Sequence, residues 1–588
     1  MMEYLSDPAQ RVVLRFGMRP ADSLITALIG WMLFLLAGCT TDIPPADTGD
    51  SALFTQLNTS GSENIRQLNG SNPPRWIVDV KSTGMALLNL SREQDRTLLL
   101  TCGSTLDRWK KGESGFPPLL FSIDDRMNLT PIEGAAGIPS LPWTSGCAAA
   151  DLDADGDDDL LLTGIGGSLL LRNENGRFEP VPDSGILTDS WCTSAAFGDL
   201  DLDGDLDLFV CRYLDFPFDS PPENGEEWSC LWENQEVLCG PRGLPATQDM
   251  VFENLGNWKF ADRTRDWGFE NAPAGYGLAV TIVDLYGDPH PEIFVANDSC
   301  SNHLWVRQKD GTWLEDGLLS GLGVDQDGQE QAGMGVAIAG LDAAGGLDLA
   351  VTNFERESIN LYQNIGDGTF QDIAPRSGLS SLTRSTLGWG IGISDFDLDG
   401  TPDLFICNGH VYPQADLADV SPGYLQMDQL LMGFRTKSEK LFFKNSNEQI
   451  ANQRKHVGRC LILADLDKDG DVDAISSSLN GSPNLYRNNT NPNTETGIES
   501  ANIRLVQSGM NRNAIGATIQ ILDTPYSVEY PMLRNCSFQS SGFAAVTLPL
   551  QNVEKPHRVA VKWPDGMKEI FLITNGPQTL EKGRGQKP

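Results

Sequence analysis

The sequence predicts an all-β protein, a seven-bladed β-propeller followed by a small C-terminal β domain. One observation is a nine-residue loop with carboxylates at positions 1, 3, 5 and 9 and glycine at position 6, best developed at Asp199–Asp207. Another is that similar units start at residues 89, 151, 199, 284, 340, 395 and 465, and that all but the first contain a complete or incomplete copy of this loop. Repeats of this length are typical of propellers and solenoids.

Each unit also repeats the same order of predicted strands. An apolar strand of small residues precedes the loop, and a continuous apolar strand follows it, as in residues 208–210. Strands that are apolar on both faces are expected to be buried on both sides. An alternating hairpin with Asn, Gly or Asp-Gly as turn signals comes next, which gives about four strands per unit. The inserts at 211–248 and 411–440 are expected to form loops on a blade face.

The loop pattern indicates a calcium site. Ca²⁺ takes six to eight oxygen ligands, whereas Mg²⁺ demands a stricter octahedron and resists dehydration. Four copies of the loop are complete, and we call them the strong loops; they begin at Asp151, Asp199, Asp395 and Asp465. An EF-hand needs an acid at position 12, where the strong loops have Leu162, Val210, Ile406 or Ser476. We therefore expect about four structural Ca²⁺ sites. The predicted ligand residues are Asp151, Asp153, Asp155, Asp157, Asp159, Asp199, Asp201, Asp203, Asp205, Asp207, Asp395, Asp397, Asp399, Thr401, Asp403, Asp465, Asp467, Asp469, Asp471 and Asp473.

Two further copies of the loop have lost key carboxylates. The copy at Asp284 has Tyr286 at position 3, and the copy at Gly340 keeps only Asp342 and Asp348. We expect neither to bind metal. The first unit, at residues 89–98, has no metal motif at all.

Composition excludes one class of partner. The 588 residues carry 80 Asp and Glu against 43 Lys and Arg, a formal net charge of −37. Nucleic-acid affinity depends mainly on Lys and Arg at phosphates, so no nucleic-acid partner is expected. An anionic membrane surface is disfavoured for the same reason, whereas divalent cations are favoured.

The N-terminus reads as an export signal. Arg11, Arg15 and Arg19 precede an apolar run at residues 23–38, which is short for a membrane-spanning helix and suits a signal peptide. Residues 36–39 resemble a bacterial lipobox, so residues 1–38 are predicted to be a lipoprotein signal peptide and Cys39 the lipidated residue. An uncleaved anchor is the alternative. Thr40 favours the outer membrane of the cell envelope, and residues 39–72 read as a flexible tether.

Ten cysteines follow Cys39, and export permits disulfide formation. No CxxC pair occurs, which disfavours a zinc site. We expect one bridge within the cluster Cys211, Cys230 and Cys239, and the pairing stays open.

The pattern resembles a known family. The units resemble FG-GAP (VCBS-type) repeats, as in integrin α-subunit propellers. VANDS at 295–299, QAGMGVAIA at 331–339, LGWG at 387–390 and NGH at 408–410 resemble the cartilage acidic protein family and its bacterial relatives. Residues 508–517 resemble the ASPIC/UnbV domain that follows the propeller in that family. The resemblance implies a propeller at 73–495 and an ASPIC/UnbV-like β domain at 496–588, in an exported, calcium-binding protein.

Two functions are compatible with the sequence. The first is a calcium-binding, surface-tethered binding or adhesion protein that recognises a protein or glycan. The second is a calcium-assisted polysaccharide hydrolase or lyase, but no catalytic constellation was found, so we expect no enzyme. His410 is expected to satisfy local hydrogen bonds rather than to catalyse. Trp143, Trp191 and Trp389 are expected to pack between blades rather than to stack on sugars.

Overall fold

The repeats fold into four-stranded antiparallel sheets in which successive strands are neighbours. A computed structural model describes residues 52–58, 65–91, 96–221, 230–342, 345–417, 422–490, 499–523, 528–550 and 555–588. It is 40% strand and 6% helix, which confirms the all-β class. The predicted signal peptide and Cys39 lie outside the described residues.

Six such sheets follow one another along the described chain, and a seventh of different composition follows them. Sheet 1 contains β2–β5 (Met85–Leu88, Thr97–Leu100, Leu119–Ile123, Leu129–Pro131), and sheet 2 contains β6–β9 (Trp143–Ala150, Asp159–Ile165, Leu169–Asn173, Phe178–Pro180). Sheet 3 contains β10, β11, β14 and β15 (Cys192–Gly198, Asp207–Arg212, Met250–Asn254, Phe260–Asp262). Sheet 4 contains β16–β19 (Gly277–Val283, Glu292–Asn297, His303–Arg307, Trp313–Glu315). Sheets 5 and 6 are β20–β23 (Val336–Ala339, Asp348–Val351, Asn360–Asn364, Phe370–Asp372) and β24–β27 (Gly388–Ser394, Asp403–Asn408, Gln429–Arg435, Leu441–Asn445). Short helices α1–α3 span Leu106–Lys110, Gly317–Ser320 and Leu379–Thr383.

Sheet 7 joins the two ends of the repeat region. It contains β29–β31 (Gly458–Ala464, Asp473–Ser478, Asn484–Asn488), and its outer strands are β1 (Phe54–Gln56) and β28 (Ile450–Ala451). Strand β1 pairs antiparallel with β31, and Phe54 is buried against Phe396 and Phe405. Residues 54–56 were predicted to belong to a flexible tether at 39–72, and that part of the prediction is wrong. Pairing across more than 400 residues leaves no local signal in the sequence.

The sheets are arranged as a ring. The first strands β2, β6, β10, β16, β20, β24 and β29 each contact the next, and β29 contacts β2. Hydrophobic clusters fill the spaces between neighbouring sheets, for example Ala337, Leu361 and Ile391 between sheets 5 and 6. This arrangement is consistent with the predicted seven-bladed propeller.

Two long connections lie on one face of the ring. In sheet 3, the connection from β11 to β14 contains the hairpin β12–β13 (Cys230–Trp232 and Gln235–Val237), closed by the disulfide Cys230–Cys239. The predicted bridge is thereby confirmed, while Cys211 is free and buried. The second insert is shorter than the predicted 411–440, because β26 already begins at Gln429.

The C-terminal region forms a small β domain with its own core. Its strands are β32 (Glu499–Val506), β33 (Thr518–Ile521), β34 (Glu529–Pro531), β37 (Val546–Leu550), β38 (His557–Lys562), β39 (Lys568–Ile573) and β40 (Gln578–Glu581). They form two sheets, β37-β32-β40 and β34-β33-β38-β39, which enclose a core that includes Ile503, Ile519 and Trp563.

One hairpin of this domain enters the ring. We call it the central hairpin: β35 (Asn535–Cys536), β36 (Ser540–Ser541) and the turn between them. Strand β36 pairs with β2 of sheet 1, and the hairpin contacts the innermost strands of all seven sheets. The fully buried Phe538 lies at its tip, with its ring 4.8 Å from that of Trp389. The predicted boundary at residue 496 therefore does not separate two independent structures.

No helix in the described part of the chain is long and apolar enough to span a membrane.

Candidate metal centres

The four strong loops occupy equivalent places in sheets 2, 3, 6 and 7. Each begins directly after the innermost strand of its sheet, and its position-9 Asp is the first residue of the second strand. Two residues in each loop have positive φ, which bends the chain back on itself. At position 4 they are Ala154, Leu202, Leu398 and Lys468, and at position 6 they are Gly156, Gly204, Gly400 and Gly470. The position-6 φ values of 90–101° explain the glycine, because L side chains rarely adopt them.

The turn gathers carboxylates within reach of one ion. In each loop three carboxylates have oxygens within 4.8 Å of one another. The sets are Asp151, Asp153 and Asp159; Asp199, Asp201 and Asp203; Asp395, Asp397 and Asp399; and Asp465, Asp467 and Asp473. The remaining predicted ligands are Asp155, Asp157, Asp205, Asp207, Thr401, Asp403, Asp469 and Asp471, and they lie outside these sets.

Three of the four position-1 carboxylates have a free ligand atom. The exception is Asp395, whose oxygens accept the N–H of Asp399 at 3.0 Å and that of Gly400 at 2.7 Å. Oδ2 of Asp199 accepts a hydrogen bond of 3.1 Å from the N–H of Gly204, whereas Oδ1 is buried without a hydrogen-bond partner. Oδ1 atoms of Asp151 and Asp465 are likewise buried and unpartnered. A buried carboxylate oxygen without a donor is costly unless a cation contacts it. The donor set is all oxygen, as hard divalent cations require, so the residues present fit a calcium ion.

Burial and mutual repulsion shift the acidity of these groups. Burial, together with the neighbouring carboxylates, raises the pKa of Asp199 to about 6 and that of Asp151 to about 7. The same causes raise the pKa of Asp395 well above its ordinary value. A metal ion would reverse this shift, because it stabilises the ionised carboxylates.

The Asp at position 9 also has a structural role that the sequence motif does not indicate. Oδ2 of Asp207 accepts the N–H of Leu200 at 2.9 Å, and Oδ1 accepts the N–H of Asn254 at 2.8 Å. The side chain thus ties the loop to the third strand of its sheet. The equivalent residues Asp159, Asp348, Asp403 and Asp473 do the same. This explains why an acid remains at position 9 even in the loop at Gly340.

Position 7 contributes its backbone more clearly than its side chain. The N–H of Asp157 donates to Oδ1 of Asp155 at 3.0 Å, and the N–H of Thr401 donates to Oδ1 of Asp399 at 2.7 Å. These bonds orient the position-5 carboxylate. The side chain of Asp157 accepts the N–H of Asn175 at 3.2 Å instead.

The two loops that have lost key carboxylates, at Asp284 and Gly340, are called the worn loops. In each of them, one remaining Asp accepts a hydrogen bond from another side chain of the protein. In the loop at Asp284, Oδ2 of Asp284 accepts a hydrogen bond from Lys562 of the C-terminal domain. In the loop at Gly340, Oδ2 of Asp342 accepts one from the amide of Gln363. Among the described residues, no group of carboxylates suited to a metal ion occurs in either loop.

The C-terminal domain covers the face that carries the loops. Arg512 donates to the carbonyl of Ala154 at 3.3 Å, and the N–H of Asn511 donates to that of Gly204 at 3.2 Å. Arg534, which precedes the central hairpin, forms a buried bidentate ion pair with Asp158 of the first strong loop, at 2.6 and 3.0 Å. Both partners are only 1% exposed. Sequence reasoning missed this contact, since no local pattern pairs residues so far apart.

A cavity of about 970 Å³ lies between the two parts of the structure. Its walls are the ends of the innermost strands of sheets 5 to 7 and the strands β32 and β37. The carboxylates that line it are Asp465 and Asp469, both from a metal loop.

The other residues singled out from the sequence are buried. Trp143, Trp191 and Trp389 are at most 1% exposed, and each indole N–H has an acceptor, so they pack in the core, as expected, and are not available to stack on sugars. They belong to the hydrophobic cluster that also contains Phe538 of the central hairpin. His410 is 3.1 Å from Glu355 through Nε2, and its Nδ1 accepts the N–H of Tyr412. His410 thus has the local hydrogen bonds expected of it.

A further group, Cys407, Asp428 and His456, lies between sheets 6 and 7. Both oxygens of Asp428 already accept hydrogen bonds, including one from His456 at 2.8 Å and one from Tyr486 at 2.8 Å. Hydrogen bonding therefore accounts for this group without a metal.

Comparison with known proteins agrees with the geometry. Residues 151–210 and 340–406 match the FG-GAP-like repeat, and residues 507–587 match the family described as ASPIC and UnbV. The chain therefore carries FG-GAP-like repeats and an ASPIC/UnbV domain, as predicted. It is also similar to human cartilage acidic protein 1, with 23% identity over 320 residues. That similarity spans 51% of this chain and 42%, less than half, of the human protein.

Similar solved structures are remote. A lectin from Agrocybe aegerita, solved for its recognition of non-reducing terminal N-acetylglucosamine, has 14% identity and a TM-score of 0.37, covering 65% of this chain and 89% of the lectin. BBS1N in complex with ARL6DN has 9% identity and a TM-score of 0.33, covering 74% of this chain and 97% of that one.

The raised pKa values of the loop carboxylates predict how pH affects the stability of the metal-free protein. The pKa values of about 6 for Asp199, 7 for Asp151 and 8 for Asp207 lie above the ordinary 3.8. The folded state therefore binds more protons than the unfolded state between about pH 4 and pH 8, and its stability falls as pH rises through that range. In a chelator, we expect a lower melting temperature at pH 8 than at pH 5.5.

Calcium should abolish or reverse this trend, because the metal binds the deprotonated carboxylates. Differential scanning calorimetry at the two pH values, with chelator and with calcium, is the measurement. A melting temperature that rises with pH in the chelator would contradict the account.

Proposed function

We infer that this protein is a calcium-stabilised binding or adhesion protein, anchored by lipid outside the cytoplasm. The observation that carries the proposal is the set of four loops with converging carboxylates, three of them with a buried, unpartnered oxygen on the position-1 Asp. Neither the FG-GAP-like repeat nor the ASPIC and UnbV family is a typical enzyme family.

Calcium would be held mainly by the carboxylates at positions 1, 3 and 5, with support from position 9. The sets at Asp151, Asp199, Asp395 and Asp465 suggest about four ions. Each ion would neutralise like charges on a loop that joins the two inner strands of a sheet, so its role is structural. Such sites suit an extracellular setting, where modest affinity is enough for binding.

Two features support export. The disulfide Cys230–Cys239 is characteristic of oxidising compartments. FG-GAP-like repeats and the similarity to cartilage acidic protein 1 also suggest an extracellular protein. The sequence near Cys39 supports a lipid anchor in the cell envelope, at the outer membrane.

We place recognition on the face opposite the metal loops. The C-terminal domain covers the loop face, while the opposite face carries the two inserts. The hairpin β12–β13 reaches across that face from sheet 3. Its Glu233 pairs with Arg356 at 2.6 Å, and its Trp232 ring lies 4.9 Å from that of His410.

Exposed apolar side chains on these inserts favour a protein partner over a glycan. Leu231 at the hairpin is 71% exposed and Leu417 on the second insert is 73% exposed. Leu425 and Met427 of the second insert are also exposed. Strand β13 contacts the second insert at Pro413–Asp416, so the two inserts adjoin on this face. Contiguous exposed apolar surface commonly marks interaction sites. We call these four residues the insert patch.

The calcium part of the proposal is tested by thermal unfolding of the wild-type protein and the variant Asp199→Asn. A site filled at 100 times its dissociation constant adds about 2.7 kcal/mol of stability, so calcium should raise the melting temperature clearly. The increase should be smaller in Asp199→Asn, which has lost one site. Asp189→Asn is the matched control, because Asp189 is 93% exposed outside the loops. Equal melting of the wild type in chelator and in millimolar calcium would refute structural calcium.

The recognition part is tested by pull-down from the native cell envelope with the double variant Leu231→Asp and Leu417→Asp. Charges on the insert patch should reduce recovery of a specific partner at least about tenfold, as expected for central interface residues. Leu572→Asp is the control, because Leu572 is exposed on the C-terminal domain. If the insert-patch variant recovers the partner as well as the control does, recognition lies elsewhere.

A further inference from the structure

The worn loop at Asp284 differs from the strong loops in having a cationic side chain as a donor to its position-1 Asp. In the strong loop at Asp395 both oxygens of that residue also have donors, but these are backbone N–H groups. In the strong loops at Asp151 and Asp199, one oxygen of the position-1 Asp accepts the N–H of the position-6 Gly, and the other is buried without a partner. In the worn loop both oxygens have donors. The N–H of Gly287 donates to Oδ1 of Asp284 at 2.7 Å, and Nζ of Lys562 donates to Oδ2.

The ammonium of Lys562 has a second acceptor in the same loop. It donates to the backbone carbonyl of Asp288, the position-5 residue, at 3.2 Å. Its side chain is 20% exposed and that of Asp284 is 10% exposed, so the pair is largely shielded from water. A cation therefore lies between positions 1 and 5, where a strong loop gathers its carboxylates.

The rest of the loop has adapted to this arrangement. Tyr286 replaces the position-3 Asp and donates its hydroxyl to Asp316 at 2.8 Å, outside the loop. Glu292 at position 9 keeps one part of the structural role seen in the strong loops, the bond to the loop, since it accepts the N–H groups of Leu285 at 2.7 Å and Tyr286 at 3.1 Å. The loop has thus kept its fold while losing a metal ligand.

Lys562 is held firmly by its own domain. It is the last residue of β38, which pairs with both β33 and β39. The next residue, Trp563, is buried and donates its indole N–H to Glu569 at 2.9 Å. The ammonium is therefore presented by a rigid strand end, which limits the entropy lost on forming the pair.

We propose that Lys562 is the built-in cation of the worn loop at Asp284, where it stands in the position of a metal ion and fastens the C-terminal domain to sheet 4. This goes beyond the proposed calcium sites, because it assigns an intramolecular ligand of a different class to a loop outside those sites. A buried carboxylate requires a counter-charge, and here a side chain supplies it. The attachment of the domain at this point needs no calcium.

The first test is carried out in chelator with the full exported chain, so it does not depend on any metal. Lys562→Met removes the ammonium and keeps an apolar side chain of similar length. We expect hydrogen exchange at residues 284–292 and 557–563 to become at least about tenfold faster, and the loop at Asp199 to be unchanged. Lys568→Met is the matched control, because Lys568 is an exposed lysine opposite Lys562 in the same hairpin. Equal exchange in the two variants would overturn the proposal.

Asp284→Asn provides a second route to the same result if Lys562→Met is recovered poorly. It removes the charge from the other side of the pair, so the same two segments should exchange faster. Unchanged exchange in this variant would also overturn the proposal.

The last test asks whether the ammonium stands at a metal position. In the double variant Lys562→Met and Tyr286→Asp, the loop regains a position-3 carboxylate and loses its internal cation. Millimolar calcium should then slow exchange at residues 284–292 about tenfold, and magnesium should have less effect. An exchange rate that calcium leaves unchanged would show that Lys562 does not substitute for a metal ion. The calcium response of the loop at Asp199, read in the same sample, tests the proposed function separately.

Discussion

Neutralising buried carboxylates on one face of the ring is the constraint on which the rest of the structure depends. Every loop from the first to the second strand of sheets 2 to 7 has an acid at position 9 that ties the loop to its own sheet. Four loops add further carboxylates beside it. Carboxylates so close together repel one another and resist burial, unless cations or hydrogen-bond donors compensate.

The chain meets this constraint in more than one way. The strong loops present all-oxygen clusters that fit metal ions. Asp158, beside the first of them, is paired with the buried Arg534, and Asp284 is paired with Lys562. Both cationic partners come from the C-terminal domain. The same interactions that compensate charge therefore also hold the domain on the loop face and place the central hairpin among the seven innermost strands.

The two faces of the ring therefore differ in what they contact. The loop face is used internally, for cations and for the C-terminal domain, so it has little free surface. The opposite face carries the inserts, and the hairpin β12–β13, closed by its disulfide, extends across it toward sheets 5 and 6.

Local patterns were enough to predict the repeated part of the fold. The alternation of apolar strands and Asp-rich loops located the inner strands of sheets 2 to 7, and the family resemblance located the C-terminal domain. Contacts between distant residues could not be predicted. Strand β1, the Arg534–Asp158 pair and the Lys562–Asp284 pair each join segments hundreds of residues apart, and no spacing in the sequence links them. The structure brings together three carboxylates in each strong loop, and the other predicted ligands, such as Asp157 and Thr401, stay predictions.

The most direct test of this account is a crystal structure of the protein grown in calcium, with the ions located by anomalous scattering. The account predicts a calcium ion in each of the loops that begin at Asp151, Asp199, Asp395 and Asp465. It predicts no metal in the loop that begins at Asp284, where the density should show the ammonium of Lys562 against Asp284. Strong loops without metal, or a calcium ion between Asp284 and Asp288 with Lys562 displaced, would contradict it.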